Sequence, residues 1–142
     1  MKPLEGQTAL VTGATRGIGA AILAALAGAG ARVVGTATSD AGAIAIQKSI
    51  EEAGWTGSGM VLNVTDATQC DSVVKAVEEK YGALNILVNN AGVTRDGLLM
   101  RMKDEEWQSV IDTDLTSVFR LSRAVMRGMM KARAGRIINI SS

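Results

Sequence analysis

Three glycines after a short apolar run are the first residues in this sequence whose spacing could serve chemistry. Gly13, Gly17 and Gly19 follow the apolar residues 9–11, and an apolar pattern with the period of a helix begins at Ile18. Glycine lets the backbone turn sharply and approach a diphosphate, and the amides and positive dipole end of a following helix attract negative charge. A strand, a glycine turn and a helix in this order predict a dinucleotide site, although an isolated glycine cluster also occurs in ordinary loops.

The charge near this turn bears on which dinucleotide would bind. An acid at the end of the second strand binds the ribose hydroxyls of NAD and would repel a 2′-phosphate. Here that strand ends in the neutral residues 35–38, and Arg16 in the turn offers a bidentate guanidinium to phosphate. These residues predict NADPH rather than NADH, with Thr15 and Thr38 as neighbouring contacts. Alternatively, Arg16 is a solvated loop residue, and Asp40 is interpreted as a helix cap.

Strands and helices alternate along the whole chain and must position these residues. The predicted strands are residues 8–12, 32–36, 60–64, 84–89 and 136–141, and residues 55–59 are predicted to be a loop. The predicted helices are residues 17–29, a second from Ser39 or Asp40 to 54, a third from Asp66 to 82, one with an acidic start at 104–106, and 115–133. This alternation predicts a Rossmann-type α/β fold, a doubly wound parallel sheet of five strands in one domain, residues 1–142. The last strand would be an apolar sheet edge, so we expect a chain truncated at its C-terminus.

Composition excludes several other classes of function. Among 142 residues 47% are hydrophobic, the net charge is +1, and there is no histidine and a single cysteine, Cys70. Disorder, nucleic-acid binding, a disulfide, a Cys/His metal site and a histidine-centred triad are therefore not expected. No apolar run approaches the length of a membrane span, and residues 1–6 lack the apolar segment of a signal peptide. We expect a cytoplasmic protein without a metal ion and without contact to nucleic acid or membrane.

Three motifs together resemble a known family. Residues 12–19 (TGATRGIG), residues 89–92 (NNAG) and a strand ending in Ser141-Ser142 are similar, in order and spacing, to the short-chain dehydrogenase/reductases. Residues 35–39, 62–66 and 94–102 resemble, within that family, the bacterial 3-oxoacyl-[acyl-carrier-protein] reductases of fatty acid synthesis. The resemblance implies NADPH-dependent reduction of a β-ketoacyl thioester to its β-hydroxyacyl form.

The resemblance also implies roles for individual residues. It places Asn63 and Val64, at the end of the third strand, against the adenine, and Asn90 beside the cofactor ribose. The implied cofactor contacts are Gly13, Thr15, Arg16, Gly17, Ile18, Gly19, Thr38, Asn63, Val64, Asn90, Ala91 and Gly92. For residues 89 and 90 the alternative is turn chemistry, because asparagine bonds its own loop readily.

Two positions are implied to take part in catalysis. Ser142 matches the serine that donates a hydrogen bond to the substrate carbonyl, and Ser141 is its less favoured neighbour. Asp114 stands where the family has an asparagine that helps to hold a water at a distortion of the long helix. Alternatively, Asp114 is an ordinary acid at a helix entry. The family's Tyr-x-x-x-Lys pair is absent, since the single tyrosine, Tyr81, is followed at that interval by Asn85. We therefore expect these 142 residues alone to be inactive.

The long helix also indicates partners. Its apolar residues are spread more widely than one core-facing stripe: Leu115, Val118, Phe119, Leu121, Val125, Met126, Met129 and Met130. The resemblance implies a homotetramer whose main interface is formed by this helix and the one before it, whereas burial under further elements of the chain would give the same pattern. Arg133 is a candidate contact for acyl carrier protein, or it complements the helix dipole. Two other functions stay open, a non-catalytic nucleotide-binding or assembly module and a reductase of another carbonyl substrate.

Overall fold

A computed structural model describes residues 2–92 and 101–140 of the chain. Its centre is a five-stranded parallel sheet in the order β3-β2-β1-β4-β5. The strands are β1 (Thr8–Val11), β2 (Arg32–Ala37), β3 (Gly57–Val61), β4 (Ile86–Asn89) and β5 (Arg136–Asn139). The helices are α1 (Gly17–Gly28), α2 (Asp40–Glu52), α3 (Ala67–Tyr81), α4 (Asp104–Val110) and α5 (Ser117–Ala132). The doubly wound α/β fold is confirmed, with β5 at a sheet edge.

Helices cover both faces of the sheet, which explains why its central strands are apolar at almost every position. Successive strand residues point to opposite faces. Leu10 and Leu87 pack on one face with side chains of α3 and α5. Val11 and Val88 pack on the other face with side chains of α1 and α2. Among the described residues, no helix is both long and apolar enough to cross a bilayer.

The strand order reverses at β1, and this reversal creates a crevice. Val11 at the end of β1 is in register with Gly35 of β2 on one side and with Val88 of β4 on the other. The chain turns into α1 after β1, while the segments after β2 and β4 leave on either side. In such sheets ligands bind at the carboxyl ends of the strands where the order reverses.

The third strand begins earlier than the sequence predicts. Residues 55 and 56 lie outside the strands, as the predicted loop requires, whereas Gly57, Ser58 and Gly59 pair with β2 and are not part of a loop. Both glycines are required by close packing: an added Cβ would lie 1.9 Å from the carbonyl oxygen of Val33 at Gly57 and 2.1 Å from that of Ala43 at Gly59. The prediction of a strand over 60–64 was therefore wrong at both ends, since glycine here marks close backbone approach rather than a turn.

The two C-terminal helices form one continuous helical rod. A π-helical segment, Ile111–Thr116, joins α4 to α5, and the backbone stays right-handed helical at both junctions. The predicted start of a separate helix at residue 115 is thus wrong, although a distortion beside Asp114 is present. The rod ends at Arg133, whose φ of 55° is the left-handed conformation of a helix C-terminus.

Candidate functional site

The glycine turn after β1 has the geometry of an anion-binding turn. Gly13 and Gly17 have φ values of 64° and 60°, which residues other than glycine rarely adopt. Helix α1 begins at Gly17 without a side-chain cap and without an acidic residue in its first turn. The first amides of such a helix are available to an external anion, and the helix dipole favours one.

Gly19 has a packing role in this turn. A Cβ atom at Gly19 would lie 2.1 Å from the carbonyl oxygen of Gly13 and 2.6 Å from Nδ2 of Asn90. The absence of a side chain therefore lets α1 close against the turn and against the segment after β4.

A buried hydroxyl organises the segment that follows β4. Thr12 Oγ1 accepts hydrogen bonds from the amides of Asn90, at 3.0 Å, and Ala91, at 2.9 Å. Asn90 Nδ2 donates to the carbonyl of Gly13 at 3.1 Å, and Asn89 Nδ2 donates to Asn139 Oδ1 at 2.9 Å. Asn90 thus binds the turn after β1, and Asn89 binds β5. These hydrogen bonds connect separate strands of the sheet and differ from the local turn bonds that were the alternative.

These elements enclose a cleft of about 640 Å³ at the carboxyl ends of the strands. It brings together every predicted cofactor contact except Gly19, which lies behind the turn. The predicted residues in its lining are Gly13, Thr15, Arg16, Gly17, Ile18, Thr38, Asn63, Val64, Asn90, Ala91 and Gly92. The lining also includes residues that sequence reasoning missed, which are Thr36, Ala37, Leu62, Thr65 and Thr113.

The charge in the cleft's described lining is that of a single guanidinium. Arg16 is the only charged residue among the described residues that line it. Asp40 is the first residue of α2 and does not line the cleft, and Ser39 caps that helix by accepting from the amide of Gly42 at 3.1 Å. An anionic ligand would therefore meet a guanidinium without a competing carboxylate in the described lining.

The segment after β3 is a compact turn at one side of the cleft. Asn63 Oδ1 accepts from the amide of Thr65 at 3.0 Å and from its hydroxyl at 2.6 Å. Asp66 Oδ1 caps α3 by accepting from the amide of Gln69 at 3.1 Å, as the sequence predicts. Gln69 Oε1 in turn accepts from the amide of Asn63 at 2.9 Å. Asn63 and Val64 thus line the cleft from a turn and not from the strand end where they were predicted.

The two predicted catalytic positions differ in what the structure shows. Asp114 is exposed within the π-helical segment, and its neighbour Thr113, not Asp114 itself, lines the cleft. A Cβ atom at Gly92 would lie 2.9 Å from Asp114 Oδ1, so this carboxylate is next to the cleft's edge. Ser142, its neighbour Ser141 and most of the 94–102 motif lie outside the described residues.

Tyr81 lies away from the cleft, as the sequence indicates. Its hydroxyl forms a hydrogen bond of 2.5 Å with Ser58 Oγ, which also accepts from Lys80 Nζ at 3.0 Å. This cluster fastens the end of α3 to β3. Tyr81 therefore packs α3 against β3 at the end of the sheet opposite to the cleft. It does not take the place of the tyrosine of a Tyr-x-x-x-Lys pair.

Comparison with known proteins agrees with this geometry. The chain matches the short chain dehydrogenase family over residues 7–142. It is 59% identical over 139 residues to the 3-oxoacyl-[acyl-carrier-protein] reductase of Vibrio cholerae, covering 98% of this chain and 56% of that protein. It is 59% identical over 138 residues to the protein of the same name from Escherichia coli K12, covering 97% and 55% respectively.

A solved structure extends the agreement to the fold. The crystal structure of a metagenomic short-chain oxidoreductase in complex with NADP superposes with a TM-score of 0.91 at 40% identity, covering 98% of this chain and 63% of that one. The chain spans about half the length of the curated relatives it matches. The match over nearly its whole length shows that this chain belongs to the short chain dehydrogenase family.

Proposed function

We propose that the protein is an NADPH-dependent 3-oxoacyl-[acyl-carrier-protein] reductase and that residues 1–142 hold its cofactor. The observation that carries this proposal is the cleft at the strand reversal, where Arg16 is the only charge among the described lining residues and α1 begins without a cap. The names of relatives at 59% identity support the choice of reaction.

The residues present fit this dinucleotide. NADPH carries a diphosphate and a 2′-phosphate, and the cleft offers helix amides for the first and a guanidinium for the second. Its volume of about 640 Å³ lies within the range of small-molecule sites. No carboxylate in the described lining opposes the 2′-phosphate.

Each side of the cleft would hold one half of the cofactor. In doubly wound folds the first β-α-β half binds the adenosine, so that group would lie between the end of β2 and the turn of residues 63–65. The segment 90–92 and Thr113, on the other side of the glycine turn, would face the nicotinamide. Bound NADPH supplies the hydride for the β-carbonyl carbon.

The proposed substrate contacts come from the family resemblance. Ser142 would donate a hydrogen bond to the carbonyl oxygen of the acyl thioester and orient it. Asp114 would hold a water near the reaction, in the widened turn of the helical rod. A carboxylate accepts hydrogen bonds only, whereas an asparagine amide also donates, so this substitution would change how that water is held.

The proposed partners are acyl carrier protein and further copies of the chain. Arg133 ends α5 beside an apolar groove of about 510 Å³, where a basic side chain suits an acidic carrier. Leu115, Phe119 and Met130 are exposed on the helical rod, while Leu121 and Val125 on its other face are buried. This second apolar face supports a homotetramer. The buried thiol of Cys70 and the carrier-linked substrate agree with a cytoplasmic location.

A chimaera tests the proposed reaction. The part of the Vibrio cholerae reductase that this chain does not cover is joined after Ser142, and NADPH oxidation is followed with a β-ketoacyl thioester of acyl carrier protein. We expect turnover by the chimaera, and binding of NADPH without turnover by residues 1–142 alone. A folded chimaera that binds NADPH but reduces only carrier-free ketones would reject the proposed substrate.

A further inference from the structure

We propose that Arg120 is a positioning residue for the adenosine half of the cleft, although it does not line the cleft itself. This inference rests on the proposed function, because it concerns the same nucleotide. Arg120 lies on α5, and its Nη1 donates a hydrogen bond of 2.5 Å to the carbonyl oxygen of Thr65. Thr65, with Asn63 and Val64, forms the turn that closes one side of the cleft.

The other hydrogen bonds of this turn are local. Asp66 N donates to the carbonyl of Asn63 at 3.0 Å, and Cys70 Sγ lies 3.5 Å from the carbonyl oxygen of Val64. In the described part of the chain, the bonds made by residues 63–65 reach no farther along the sequence than Cys70, except for the bond to Arg120. Among the described residues, Arg120 thus provides the one hydrogen bond between this turn and an element distant in the sequence.

Arg120 also has an electrostatic effect on Cys70 of α3. Burial raises the pKa of the Cys70 thiol, and the nearby charge of Arg120 partly opposes that rise. The charge of Arg120 thus acts on the first turn of α3, while its hydrogen bond is to Thr65. One side chain connects the helical rod that carries Thr113, on one side of the cleft, to the turn on the other side.

The bond from Arg120 affects binding because it keeps the turn of residues 63–65 ordered before the ligand arrives. Without this bond the turn would be held by its local hydrogen bonds and by the buried side chain of Val64. It would then sample more conformations, and ordering it on binding would reduce affinity. The effect should appear for ligands that contain adenosine with its 2′-phosphate, because the turn faces that half of the cleft. The free energy of one hydrogen bond from a charged donor corresponds to about a tenfold change in affinity, which is the change we expect for these ligands when the bond from Arg120 is lost.

The experiment measures binding to this chain by calorimetry with two probes, NADPH and adenosine 2′,5′-bisphosphate. The variants are Arg120→Met and Arg120→Lys, with Arg123→Met as matched control. Arg123 is on the same helix, and its guanidinium lies 4.8 Å from the ring centre of Phe119, away from the cleft. We expect Arg120→Met to weaken both probes by the same factor, about tenfold, and Arg120→Lys to weaken them by only about threefold. Arg123→Met should leave both affinities unchanged.

Three results would overturn the inference: unchanged affinities in Arg120→Met, a loss for NADPH without a loss for the bisphosphate, or an equal loss in Arg123→Met. If Arg120→Met does not fold, Arg120→Lys becomes the test, and its affinity for the bisphosphate must fall by about threefold because the flexible ammonium of lysine is held less rigidly toward Thr65 than the guanidinium. Failure of the folded, unsubstituted chain to bind NADPH would instead reject the proposed function.

Discussion

The Cα atom of Gly19 lies against the backbone carbonyl of Gly13, so closely that a Cβ atom at position 19 would be 2.1 Å from that oxygen. The carbonyl belongs to the turn that borders the cleft, so a shift that makes room for a side chain at position 19 would change the shape of that turn. We expect Gly19→Ala to lower the free energy of unfolding by about 3 kcal/mol and to abolish NADPH binding, as measured by urea denaturation and calorimetry.

Gly28 on the same helix provides the control. A Cβ atom there would meet nothing within 4 Å. Gly28→Ala should therefore raise the free energy of unfolding by about 0.5 kcal/mol through the lower entropy of the unfolded chain, with NADPH binding retained. Equal unfolding free energies for the two alanine variants would contradict the proposed role of Gly19.

The hydroxyl of Thr12 gives a second prediction, because it accepts from two backbone amides while only 1% exposed. Thr12→Val keeps the shape of the side chain but leaves the amides of Asn90 and Ala91 without this acceptor. We expect a loss of about 2 kcal/mol in the free energy of unfolding, whereas Thr12→Ser, which keeps the hydroxyl, should lose less than half of that. A valine variant as stable as the serine variant would show that the segment after β4 is held by other contacts.

The buried thiol predicts a dependence on alkaline pH. Burial raises the pKa of Cys70 above its ordinary value of 9.0, so the folded protein keeps a proton that the unfolded chain releases. Its contribution to stability is complete below pH 9.0 and is lost as the pH rises toward the folded-state pKa. The difference in unfolding free energy between the unsubstituted chain and Cys70→Ala should therefore decrease above that pH, by at most about 1.4 kcal/mol per pH unit. A difference that is constant from neutral to alkaline pH would contradict this.

The fold was predictable from the sequence because hydrophobic periodicity and glycine punctuation agree along most of the chain. The exception, β3, shows where that reasoning fails. Gly57 and Gly59 are signals of a loop when they are considered locally, but here they permit backbone contacts with β2 and α2 that only the folded chain reveals. The continuous path from α4 through the π-helical segment was missed for a related reason, since a widened turn disturbs the helical period.

Most of the cleft's lining was predicted as well, because the family motifs coincide with the carboxyl ends of the strands. Four of the missed residues, Thr36, Ala37, Leu62 and Thr65, lie within the motifs 35–39 and 62–66, but their short or apolar side chains do not indicate a contact of their own. Thr12 holds the segment after β4 through its hydroxyl, and Thr113 lines the cleft from the helical rod. Arg120 contacts Thr65, which is 55 residues away in the sequence. For Thr12, the sequence offers one signal of its role, which is a hydroxyl directly before the glycine turn.

The most direct measurement is calorimetric titration of the folded chain and of Arg16→Gln with NADPH and NADH. We expect one NADPH per chain, bound more tightly than NADH. Arg16→Gln should weaken NADPH by at least about tenfold and leave NADH nearly unchanged, because only NADPH presents a 2′-phosphate to the guanidinium. No detectable binding of NADPH, or a preference over NADH that survives the substitution, would contradict the account of the cleft as an NADPH site.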